Sequence, residues 1–85
     1  MKTEDSLKKI KYKVAAFYNF TSILHQEIVL IKEELTNFAT NQEIKGTILL
    51  ASEGVNGTVC GTENAITHFI QILKQLLKIS DINVK

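Results

Sequence analysis

The spacing of hydrophobic and polar positions changes several times along this 85-residue chain, and each change marks an element. Between Tyr12 and Phe20 the alternation is twofold, with Tyr12, Val14, Ala16, Tyr18 and Phe20 on one side and Lys13, Ala15, Phe17 and Asn19 on the other. Aromatic and β-branched side chains at that period predict a strand. Apolar groups on both sides predict that it lies in a sheet covered on both faces. The period then lengthens: Leu24, Ile28, Ile31, Leu35 and Phe38 recur at spacings of three and four, the stripe of an amphipathic helix. Thr21 and Ser22 offer cap oxygens for its start, and Glu27, Glu33 and Glu34 fall mostly off the stripe. The pattern fades over residues 38–42, where the helix is expected to end.

Residues 45–61, Lys-Gly-Thr-Ile-Leu-Leu-Ala-Ser-Glu-Gly-Val-Asn-Gly-Thr-Val-Cys-Gly, stand at the centre of the chain. Thr47 to Ala51 is a short apolar run, Glu53-Gly54 and Asn56-Gly57 are turn signals, and Val59 and Cys60 begin a return strand. Thr62 then caps a second helix, with Glu63 suited to the positive end of its dipole. Its stripe is Ile66, Phe69, Ile70, Leu73, Leu76 and Leu77. Ser80-Asp81 breaks the stripe, and Ile82-Asn83-Val84 alternates as a short last strand.

The order strand, helix, strand, strand, helix, strand predicts an α+β fold of the ferredoxin-like, or acylphosphatase-like, kind. Two right-handed βαβ halves interleave into one four-stranded antiparallel sheet with both helices on one face. One sheet face is then bare. Whichever parity of the first strand turns to the helices, the bare face carries Phe17 or Tyr18 beside Leu49 or Leu50, an invitation to a second copy of the chain or a following domain. The stop at Lys85, directly after the last strand, is read as the cut end of a longer protein.

Composition sharpens this only in places. With 45% hydrophobic and 22% charged residues the chain is an ordinary globular domain, with neither a run of the roughly 18 apolar residues that a membrane span needs nor a signal-peptide core. A cytoplasmic location and no membrane partner are the expectation. One cysteine is compatible with a reducing compartment. The net charge of +1 hides an asymmetry: residues 1–13 hold five lysines against two acids, and the remainder five lysines against seven. Residues 1–11 thus form a basic arm ahead of a domain over 12–85. Lys8, Lys9, Lys11 and Lys13 are candidate phosphate contacts, weighed against a merely solvated terminus. No arginine is present, so no bidentate fork for phosphate exists.

Reactive chemistry is sparse. Cys60, His25 and His68 lack metal-ligand spacing, so neither a metal site nor a cofactor is predicted in this domain. Cys60, two residues before the second helix's cap, reads as a small apolar strand residue rather than an activated thiol. Gly54, Gly57 and Gly61 fit no nucleotide-binding fingerprint and read as turn residues, with an anion-binding nest around Gly54 and Gly57 as a lesser possibility.

Two family resemblances bear on function. Residues 57–63, Gly-Thr-Val-Cys-Gly-Thr-Glu, with the helix after them resemble the second half of the acylphosphatases. In that family an arginine in the loop after the first strand binds phosphate, whereas here the loop is Phe20-Thr21-Ser22 and the chain has no arginine. The resemblance therefore extends to the fold and not to the hydrolysis.

Four further segments are similar to the N-terminal domain of the rhodanese-domain-containing tRNA uridine(34) hydroxylases. They are residues 12–20, 44–51, 53–59 and 81–85, with the string Lys-Gly-Thr-Ile-Leu-Leu-Ala-x-Glu-Gly-x-Asn-Gly-Thr-Val as the specific signal. The resemblance implies a bacterial cytoplasmic enzyme that uses molecular oxygen to place a 5-hydroxyl on the wobble uridine. Its catalytic cysteine belongs to a rhodanese module beyond Lys85, so no catalytic residue is expected in this fragment. The electron source is left open.

The implied role is that of an accessory module that positions tRNA through the arm and Lys45, or that braces the rhodanese domain. With a net charge near zero, no arginine and no stacking platform legible in the pattern, bracing stands level with direct RNA contact. Glu53 and Asn56 are the turn residues expected to touch tRNA or the missing domain. The alternatives are a homodimeric binding module using the bare face, or, without the arginine, an acylphosphatase-type hydrolase.

Overall fold

The computed structural model describes residues 11–85. Along it run β1 (Tyr12–Phe20), α1 (His25–Asn41), β2 (Lys45–Ala51), β3 (Gly54–Thr62), α2 (Glu63–Leu77) and β4 (Asn83–Val84). The strands form one antiparallel sheet in the order β2-β3-β1-β4. This is the ferredoxin-like arrangement that the periodicity predicts. Lys8 and Lys9 of the basic arm lie outside the described residues.

The register of β3 decides which way β1 faces. In β3 the odd positions Val55, Gly57, Val59 and Gly61 are apolar or small, while the even positions Asn56, Thr58, Cys60 and Thr62 are mostly polar. Burying the apolar set turns Val55 and Val59 into the core. Because Ala15 stands opposite Val59 and Phe17 opposite Gly57, the odd residues of β1 go with them. Ala15 and Phe17 are buried, and the even side, which holds more aromatic area, is left in solvent. The expectation of a sheet covered on both faces does not hold for the described chain.

Both helices pack on the odd face. Phe69 of α2 is fully buried, with its ring centroid 6.2 Å from that of Phe17 and 6.3 Å from that of Phe38 on α1. Gly57 makes room for this cluster, since a β-carbon there would stand 3.0 Å from Phe17 Cζ and 2.6 Å from the Thr47 carbonyl oxygen. Asn56-Gly57 is therefore mid-strand and not a turn. The β2–β3 connection is only Ser52-Glu53, with Ala51 paired to Gly54. Gly54, with φ of 152°, is the first residue of β3, and Gly61 lies within it. The amides around Gly54 and Gly57 belong to extended, paired backbone, which removes the anion-nest reading.

The start of α1 also differs from expectation. Its cap residue is Leu24, which has no side-chain cap bond, and Thr21 and Ser22 lie upstream in the connection. That connection is held by its backbone: Thr21 N–H donates to the Glu53 carbonyl at 3.1 Å and Ile23 N–H to the Ser52 carbonyl at 2.9 Å. Tying the segment to the β2–β3 turn buries Ile23 and leaves Leu24, nominally the first residue of the stripe, exposed. Ile31 and Leu35 carry the stripe inward, and the helix runs on through Phe38 and Ala39 to Asn41 because both still pack on the core.

α2 follows its sequence closely. Thr62 Oγ1 accepts from Ala65 N–H at 3.2 Å, Glu63 sits in the first turn, and Lys78 closes the helix in the left-handed conformation. Removing the cap in Thr62→Ala is expected to cost about 1 kcal/mol, measured as a lower urea midpoint at unchanged slope. The ion pair between Lys78 Nζ and Glu27 Oε2, at 3.8 Å and largely in solvent, adds little.

Candidate functional site

The face of the sheet away from the helices is the feature that the fold leaves unexplained. Residues paired across antiparallel strands project to the same face, so the register sorts this surface into rows. Tyr12 is paired with Thr62, and the next row is Val14, Cys60 and Lys45. Ala16, Thr58 and Thr47 follow, with Lys85 alongside through its N–H to the Ala16 carbonyl at 2.7 Å. The fourth row runs Asn83, Tyr18, Asn56, Leu49 across all four strands, and Phe20 and Ala51 close the face at the β2–β3 turn.

Its apolar side chains are substantially exposed: Phe20 at 85%, Tyr12 at 71%, Leu49 at 60% and Tyr18 at 41%. Tyr18 and Phe20 meet edge to face, centroids 6.2 Å apart. A shallow depression of about 620 Å³ lies between Tyr18, Leu49, Asn56, Thr47, Thr58 and Lys85. Of the three side-chain hydrogen bonds found among the described residues, two lie at the start of α2, one of them using Thr62 at the margin of this face, and the third joins Ile82 N–H to Asp81. Asn56, Asn83, Thr47 and Thr58 keep their donors and acceptors for other partners.

The structure separates the residues singled out from the sequence. Lys45 and Asn56 come together on this face, two rows apart. Glu53, in the turn, borders its Phe20 end. Lys13 instead stands on the helix side of β1, opposite Gly61, and Lys11 precedes the strand, its carbonyl accepting from Glu63 N–H at 3.0 Å. Neither belongs to the face. Cys60 is exposed on it rather than packed away as a small strand residue. His25 and His68 sit exposed on different helices, and among the described residues no group of three or more His, Cys, Asp or Glu converges. Of the pair Phe17 or Tyr18 it is Tyr18 that the open face takes, and Tyr12, Phe20, Asn83 and Lys85 join it there with no role legible in the sequence. The polar alternation in β3 was the signal that points to them, once its pairing with β1 is known.

A small α+β sandwich whose helices cover one sheet face, and whose other face is a broad apolar and polar surface, defines an acylphosphatase-like domain. The chain belongs to the family of the UPF0176 acylphosphatase like domain, which matches residues 12–85.

It is similar over its whole length to two proteins named tRNA uridine(34) hydroxylase from Prochlorococcus marinus. Identity is 79% to that of strain NATL1A and 75% to that of strain NATL2A, and in each the match covers 27% of the relative. A protein of the same name from Teredinibacter turnerae is 47% identical over 64 residues, 75% of this chain and 19% of the relative. The chain thus spans about a quarter of the length of the curated relatives it matches over its full extent.

Proposed function

We propose that this chain is the N-terminal accessory domain of an oxygen-dependent tRNA uridine 5-hydroxylase, an oxidoreductase of the bacterial cytoplasm acting at the wobble position. The reaction is carried out by a rhodanese module elsewhere in the protein, and the domain holds a macromolecular partner for it. The relatives' names supply the substrate. The observation that carries the domain's role is the open sheet face, where Tyr12, Phe20 and Leu49 stand more than half exposed on one surface. That surface is flat and broad, suited to a polymer or a protein rather than to a small molecule. No helix among the described residues is long and apolar enough to cross a membrane.

The test is restoration of hydroxylation in cells lacking their own enzyme, read as 5-hydroxyuridine at position 34 by mass spectrometry of purified tRNA. The full-length protein is expected to restore the modification. A version lacking residues 12–85 is expected to fall by about tenfold or more while remaining folded by circular dichroism, because positioning is lost and not chemistry. Residues 1–85 alone are expected to give none. Undiminished modification without the domain would remove the accessory role, and modification by residues 1–85 alone would make the domain catalytic.

A further inference from the structure

We propose that the open sheet face is a stacking platform for unpaired RNA bases, centred on Tyr18 and Phe20, with Asn56 and Asn83 reading the edge of the stacked base and Lys45 and Lys85 holding its phosphates. The proposal rests on the reading of the protein as a tRNA hydroxylase and specifies the surface through which this domain engages the tRNA.

The row Asn83, Tyr18, Asn56, Leu49 carries it. An aromatic ring is flanked on both sides by a carboxamide, each on a neighbouring strand about 5 Å away. A base lying on the Tyr18 ring would bring its hydrogen-bonding edges to these two amides, and a carboxamide can donate and accept at once, as base edges require. Phe20, two residues along the same strand, meets the Tyr18 ring edge to face at 69° between planes, so it buttresses that ring and offers a second, differently tilted face to the neighbouring base. Leu49 closes the row with an apolar side chain and no competing polar group.

Charge selects the partner. None of the strand positions on this face carries a carboxylate, while lysines stand on both its outer strands, Lys45 at the start of β2 and Lys85 just past β4. The described acids are on the helices and in the connections, with Glu53 alone reaching the rim. Exposed rings between two cationic edges match a single strand, whose bases face one way and whose phosphates track the margins. A protein partner fits less well, since the four amide and hydroxyl side chains Thr47, Asn56, Thr58 and Asn83 lie within the face and would all have to be satisfied there. Duplex RNA is excluded, because its bases are stacked on one another.

The experiment uses the full-length protein and an unmodified tRNA transcript with uridine at position 34, with binding read by fluorescence anisotropy and unfolding followed in parallel. The double variant Tyr18→Ala, Phe20→Ala is expected to bind about tenfold more weakly or worse. The pair Tyr18→Phe, Phe20→Trp, which keeps the rings, should stay within about twofold of the original. Changing Lys45 and Lys85 to Gln should lower the salt dependence of binding.

Phe20 is 85% and Tyr18 41% exposed, so the alanine variant should lose only the Tyr18–Phe20 contact and some strand propensity, and its unfolding midpoint should fall slightly. Unchanged binding by that variant overturns the platform. So does a drop in its unfolding midpoint as large as that of a core truncation, which would mean that the face is packed against another part of the protein, or a shift in its sedimentation, which would mean a second copy. If the unaltered protein neither binds nor hydroxylates the transcript, the tRNA reading itself fails, an outcome distinct from all of these.

Discussion

Phe69→Ala is expected to remove about half of the folding stability of the 85-residue chain. The ring is fully buried and packs against both Phe17 of β1 and Phe38 of α1, so it joins the sheet to both helices. Truncating such a residue costs about 3–5 kcal/mol through lost burial and the cavity left behind. A domain of this size has a total stability on the order of 5–10 kcal/mol. Urea unfolding followed by the helical circular dichroism signal should show the midpoint falling by about 2 M or more. Val14→Ala, on the open face, should move it little. Equal effects of the two substitutions would mean that the core does not lie on the side described.

Gly54→Ala is the second large effect, and its cause is backbone rather than packing. At φ of 152° a side chain is strained, and a β-carbon would stand 2.2 Å from the Asn19 carbonyl oxygen, where β1 and β3 pair at their ends. Neither strand can yield without opening the ladder, so a loss of about 2–3 kcal/mol is expected. Gly61→Ala is the contrast. Its added carbon meets Ile44 Cγ1 at 3.0 Å, a side-chain atom that can rotate away, and about 1 kcal/mol is expected. Measured on the same urea scale, the Gly54 variant must be the weaker of the two. The reverse order would refute the placement of Gly54 in the strand ladder.

These two predictions mark where sequence reading succeeds and where it stops. Phe69 is legible as a core residue because α2 keeps a helical stripe with a cap at Thr62, all of it local. Gly54 is legible as special but not for its actual reason. A glycine after glutamate reads as a turn, whereas this one is required by the close approach of β1, a strand some thirty-five residues earlier in the chain. The missed cap at α1 has the same origin. Thr21 and Ser22 are good capping residues, but long-range backbone bonds to Ser52 and Glu53 hold that segment extended and shift the helix start to His25.

The candidate site shows the division most clearly. Lys45 and Asn56 were identified from the central stretch, while the lysines that composition brought forward, Lys11 and Lys13, do not join them. A cluster of like charges in sequence says little about which face each side chain takes, because alternate residues of a strand point in opposite directions. Tyr12, Tyr18 and Phe20 share one side of β1 by the same alternation, but only the pairing with β3 makes that side the open one.

The sequence by itself determined the order of elements, both helical stripes, the ferredoxin-like class and the family, because each rests on local periodicity or a contiguous string. It also determined which side of β3 is apolar. What only the tertiary structure decided is which side of β1 goes with it. That depends on a register between strands far apart in the chain, where a slip of one residue would exchange Phe17 for Tyr18 and bury the aromatic face. Local periodicity carries no information about that register. The fit of Phe17 over Gly57, with Phe69 behind it, sets the register and leaves Tyr12, Tyr18 and Phe20 in solvent.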